Sequence, residues 1–131
     1  MAMPPLNFTD AQTVRETLLA GASANRNAAC RRGSIDVTTA PGRLIATGDL
    51  HDNPVHLARL VTAAGMDGDG PPAHLVLHEL IHGDKLVNGM DMSYRVLTRI
   101  ADLKTRFPEH MHVLLANHEL SQIIGAGIVK D

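Results

Sequence analysis

Two short stretches carry the side chains best suited to chemistry: GDLHDN, Gly48 to Asn53, and ANHEL, Ala116 to Leu120. Each follows an apolar run that reads as a buried strand, Leu44 to Thr47 before the first and HVLLA, His112 to Ala116, before the second. Polar side chains left unpartnered at the ends of core strands would cost several kcal/mol each. They therefore need a reason to be there. Carboxylate, amide and imidazole groups are metal ligands and proton carriers, which makes Asp49, His51, Asn117, His118 and Glu119 the first candidates.

The elements that must position them can be read along the chain. Thr9 or Asp10 caps a helix through about Leu19, with Gly21 as its stop, and GASANRNAACRRG reads as loop or helix end. SIDVTTAPGRLIATGD predicts two short strands around a Pro41-Gly42 turn, the second being Leu44 to Thr47. Asn53 and Pro54 then start a helix with Val55, Leu57, Leu60, Val61 and Ala64 on its apolar face, ended by Gly65. After the loop MDGDGPPA comes HLVLHELIHG, read as a strand. A helix follows from Asp91 or Ser93 to about Arg106, closed by Phe107-Pro108. HVLLA is the last strand, and ELSQIIGAGI a short helix. Alternating strands and helices predict an α/β sandwich with several parallel strands, whose ligands gather at the strands' carboxyl ends. Asp49 with His51, and Asn117 with His118, fall at such ends.

Composition narrows the function classes. The 131 residues amount to one domain, and 12 Lys plus Arg against 14 Asp plus Glu leave no electrostatic footprint for nucleic acid or an anionic membrane. Without Trp, and with one Tyr and two Phe, there is little material for stacking on bases. Cys30 is the single cysteine, so no internal disulfide forms; with no leader-like start and no long apolar run, a cytoplasmic protein is expected. The eight histidines are the distinctive feature.

ATGDLHDN resembles the first motif of the calcineurin-like metallophosphoesterases, Gly-Asp-x-His-Gly/Asn, and LLANHE resembles their Gly-Asn-His-Glu motif, in the family's order. The resemblance implies a metallophosphoesterase-like fold, a mixed β-sheet sandwich with flanking helices. It also implies hydrolysis of phosphomonoesters, a phosphoprotein among them, by a hydroxide generated between two divalent metal ions (Mn, Fe or Zn). Carried over residue by residue, Asp49 and His51 bind the first metal and Asn117 the second. His118 lies beside the leaving-group oxygen, and Glu119 orients the loop.

Between the two motifs the family places a Gly-Asp whose carboxylate bridges both metals. Here GDKLVNG, Gly83 to Gly89, offers Asp84 but has Val87 at the second aspartate position, while in the alternative register HLVLHE is the strand, with Glu79 at its end in place of that aspartate. Glu79 is favoured, because a usual strand has five or six residues and reaching Asp84 would take about ten. Ala116 also departs from the family's glycine. The chain ends at Asp131, soon after the second motif, so the resemblance covers only about the N-terminal half of a catalytic domain. The expectation is an incomplete single domain, residues 1–131, lacking the C-terminal strands and ligands. The missing strands would leave a sheet edge exposed to self-association.

Two other functions compete. HELIH, His78 to His82, is a literal H-E-x-x-H; on a helix it would put two imidazoles on one face around zinc, with Glu79 as the general base of a metallopeptidase. Gly83 would end that helix at once, and the reading leaves GDLHDN and LLANHE unexplained. The other is an inactive truncated remnant that retains part of a metal site. Blander roles also stand beside the sharp ones: a turn-capping carboxylate for Asp49, a helix start for Asn117 to Glu119, surface or edge positions for His56, His74, His110 and His112, and a solvated Arg31-Arg32 pair.

Overall fold

The computed structural model describes residues 5–39, 42–83 and 86–127. The chain is mixed α/β, with helices α1 (Ala11–Asn27), α2 (Pro54–Ala63), α3 (Tyr94–Arg106) and α4 (Asn117–Ile124). Its strands are β1 (Arg31–Arg32), β2 (Ile35–Asp36), β3 (Leu44–Asp49), β4 (His74–His78) and β5 (Met111–Val113). Strands β3, β4 and β5 form a parallel sheet in that order, while β1 and β2 make a separate antiparallel ribbon. The expected parallel α/β layout is therefore present. A second sheet facing the first is not found among the described residues, which have helices and one ribbon around a single parallel sheet.

Strand–helix–strand units need a crossover between parallel neighbours, and α2 and α3 supply the two crossovers. Asn53 caps α2, its side chain accepting from the His56 N–H at 2.9 Å, and Pro54 sits in the first turn, where its missing N–H costs nothing. Leu75 and Leu77 point to one face of β4 and are fully buried with Leu57 and Val61 of α2 and Val96, Ile100 and Leu103 of α3. His74, Val76 and His78 occupy the opposite, half-buried face.

Several expectations are corrected. Gly21 does not stop α1, which continues to Asn27 through the stretch read as loop. Instead Gly21 is the contact point between helices: a Cβ there would lie 2.6 Å from Ala101 Cβ and 2.8 Å from the Ala101 carbonyl oxygen on α3. A glycine in a helix signals a stop or a close approach, and here it is the approach. Strand β2 pairs with β1 and not with β3; Pro41 itself lies outside the described residues. Strand β3 runs on to Asp49, and the last strand is Met111–Val113, shifted from the expected 112–116. Residues 74–78 are strand, so His78 and His82 do not share the helix face that a zinc H-E-x-x-H site requires. No helix among the described residues is long and apolar enough to cross a membrane.

Candidate metal and catalytic centre

All three parallel strands end on the same side, and the candidate residues lie there. In the β3–β4 register Asp49 stands opposite His78, and the His78 Nδ1 lies 2.8 Å from Asp49 Oδ1. His51 Nε2 is 3.4 Å from the other Asp49 oxygen, and its Nδ1 is 3.2 Å from the His82 carbonyl oxygen. The His78 hydrogen bond, opposed by burial and joined by the His51 and His78 charges, holds the Asp49 carboxyl below its usual range. An ionised Asp49 flanked by two imidazoles is a ready cation ligand.

Glu79 follows β4 directly and is only 2 % exposed. Its Oε1 approaches His118 Nδ1 to 2.9 Å, yet neither atom has an aligned hydrogen bond, although both are buried. Buried polar atoms left in that condition ask for an additional partner. Asp49, His78 and Glu79 each offer one donor atom within 4.8 Å of the others, and this trio meets the donor chemistry of a divalent cation. His118, 9 % exposed, is the second residue of α4, and its ring meets the edge of His82 at 4.0 Å between centroids, with His51 at 5.9 Å.

The loops that carry these groups are strained and firmly tied. His51, Asp52, Glu79 and His82 have φ values of 46°, 52°, 49° and 69°, the left-handed region that non-glycine residues avoid. Such conformations cost of order 1–3 kcal/mol each and persist only where neighbours enforce them. Here the β3–β4 ladder continues past both strands: the Leu50 N–H donates to the His78 and Glu79 carbonyls, His51 N–H to Glu79, and Asp52 N–H to Leu80. Glu119 adds a second clamp. Its Oε1 accepts from the Leu80 and Ile81 N–H groups at 2.6 and 3.1 Å, and its Oε2 from the Ala116 N–H at 3.2 Å. Glu119 thus fixes the loop carrying Glu79 and His82 to the start of α4.

Asp52 faces inward beside Gly83, whose Cβ would lie 2.9 Å from the carboxylate. Burial, and then Asp91, push its carboxyl up, with Arg95 opposing. Among the sequence candidates, Asp49, His51, Glu79 and His118 come together. Asn117 is the exposed first residue of α4, and Asp84 lies outside the described residues. His78 and His82, read in the sequence as an H-E-x-x-H pair, are drawn in as well. For His78 the signal was available: as the last residue of a five-residue strand parallel to β3, it must end beside Asp49.

A cleft of about 290 Å³ opens beside His118, lined also by Ile81, His82, Asp91, Ser121 and Gln122. Larger cavities of 530 to 610 Å³ have mostly apolar walls and hold none of the Asp49, His78, Glu79 and His118 groups. Of the convergent groups, His118 lines the smaller cleft, together with His82, while Asp49, His78 and Glu79 do not line it; convergent titratable groups nevertheless mark a site better than volume does. No family model, curated protein or solved structure matches this chain.

Proposed function

We propose that this chain is a metallophosphoesterase-like, metal-dependent hydrolase of phosphomonoesters, working at the carboxyl end of its parallel sheet. The observation that carries the reading is the trio Asp49, His78 and Glu79 at the strand ends, with His118 held against Glu79 and facing a small cleft. Asp49, His78 and Glu79 would hold a divalent ion, with His51 as a further nitrogen donor at the Asp49 carboxylate. When bound, the ion supplies Lewis-acid polarisation of the phosphoryl oxygens and lowers the pKa of the attacking water.

The protein's part is placement and proton transfer. With Nδ1 turned toward Glu79, Nε2 is the His118 nitrogen left for substrate. From the cleft wall, Nε2 would give its proton to the departing alkoxide oxygen. Glu119 and the extended ladder hold these groups still, which keeps the cost of orientation out of the reaction.

A second reading is a non-catalytic metal-binding remnant. It draws support from one observation: at this end the described residues supply a single three-donor group, where a two-metal centre would need more ligands. Two variants separate the roles. Asp49→Ala should lose bound metal and turnover together, whereas His118→Ala should lower turnover about 10²–10⁴-fold and keep the metal, the usual weight of a general acid. Equal metal loss in both variants would refute this division of labour.

A further inference from the structure

A second group of metal-ligand side chains lies at a different place in the fold, where the β1–β2 ribbon docks onto β5. Cys30, Asp36 and His112 come from three segments, and one donor atom of each lies within 4.8 Å of the other two. His112, expected at the surface, is 4 % exposed, while Cys30 and Asp36 are half-buried. We infer that this trio is a thiolate-containing zinc-type site, separate from the Asp49 centre, with its fourth position left to water.

The arrangement around the trio is what ligands require. His112 Nδ1 faces Asp36 Oδ2 at 2.7 Å, and its Nε2 is backed by His74 Nδ1 at 3.0 Å. A ligating imidazole is commonly fixed by such a partner on its other nitrogen. The Cys30 turn is pinned by Glu109, whose two carboxylate oxygens accept from the Ala29 and Cys30 N–H groups, each at 2.7 Å. Asp36 is held by Arg31 through its other oxygen; that contact is an ion pair without hydrogen-bond alignment, so Oδ1 and Arg31 Nε are buried and imperfectly satisfied. Zinc bonds of about 2.0–2.3 Å put neighbouring donors roughly 3.3–3.8 Å apart. Closing the trio onto an ion therefore takes shifts of about an ångström or less.

Charge and chemistry select the ion. Burial pushes the Cys30 thiol up, helped by Glu109 and Asp36, so the free site holds S–H. Binding releases the Cys30 thiol proton to solvent, and a neutral His112 would ligate through Nδ1 with its own proton carried on Nε2, facing His74. The thiolate and carboxylate then offset the dication, with the nearby Arg31 and Lys104 cations acting against it. A sulfur ligand favours zinc or cobalt over magnesium or manganese, the opposite preference from an oxygen-rich phosphoesterase centre.

The test is a cobalt(II) titration of the full chain, read by the thiolate-to-cobalt charge-transfer band, with zinc used to displace it. One equivalent of band should form and should persist in Asp49→Ala. It should vanish in Cys30→Ser and in His112→Gln, and His74→Ala should weaken binding about 10–100-fold, the usual effect of removing a ligand's support. Because those variants could disturb folding, the unmodified protein provides a second readout: zinc, but not magnesium, should slow reaction of the Cys30 thiol with a disulfide reagent. Absence of the band, or an unprotected thiol at saturating zinc, overturns the site. A band unchanged in His112→Gln also overturns it.

Discussion

Replacing Glu119 by Gln should loosen the candidate centre without touching any proposed ligand. In the folded chain one carboxylate receives three backbone N–H groups, from Leu80, Ile81 and Ala116. A glutamine oxygen can keep the Leu80 and Ile81 bonds, but its NH₂ then faces the Ala116 N–H, leaving that donor unmet at about 1–3 kcal/mol. The two surviving bonds lose their charge assistance, roughly 0.5–1 kcal/mol each. The sum is about 2–5 kcal/mol, a large part of the stability of a domain this size. Urea unfolding followed by circular dichroism would measure it, and hydrogen exchange would locate it, with the Leu80 and Ile81 amides losing protection first. Metal affinity should fall along with protection, because Glu79 and His82 ride on the same loop. Stability within about 0.5 kcal/mol of the parent, together with unchanged exchange at Leu80 and Ile81, would refute the clamp.

Three further outcomes follow from the same geometry. Gly21→Ala should destabilise by about 1–3 kcal/mol in urea despite the better helix propensity of alanine, since the new Cβ meets Ala101 backbone that cannot swing away; a gain in stability would contradict the close approach of α1 and α3. Leu77→Ala, in the fully buried face of β4, should cost about 2–5 kcal/mol by the same assay, and a cost under 1 kcal/mol would mean that face is not core. Burial, and then the His110 and His112 charges, lower the proton affinity of His74, with a Glu109 backbone bond opposing. The folded state thus binds that proton less readily than the unfolded chain, so the His74 contribution is complete above the ordinary imidazole range and is lost as pH falls through the lowered value. Unfolding free energy should accordingly drop between about pH 7 and 5, and His74→Gln should flatten that drop.

How far the sequence could be read depends on the residue. Asn53-Pro54 marked the start of α2 because cap and first turn are local chemistry. The usual strand length of five or six residues brought Glu79 to the end of this strand, and it directly follows β4, which stops one residue earlier at His78. Long-range partners were not legible. Gly21 looks like a stop until Ala101, eighty residues away, is laid against it. The pairing of β2 with β1 turned on a tight local ribbon that outcompeted the more distant β3. Arg31, read as solvated, is paired with Asp36, and His112 is buried between Asp36 and His74, because the ribbon docks on β5 in a way no periodicity encodes. At the centre itself, motif order brought Asp49, His51 and His118 into view, while His82 entered only through the fold of its loop.

The measurement that bears most directly on the phosphoesterase reading is hydrolysis of a chromogenic phosphomonoester by metal-stripped protein, with manganese or zinc added back and bound metal counted per chain. Turnover should be absent without metal, return with it, and be lost in Asp49→Ala. Metal bound at the Asp49 centre with no turnover on any phosphomonoester would contradict it and leave the chain a metal-binding remnant.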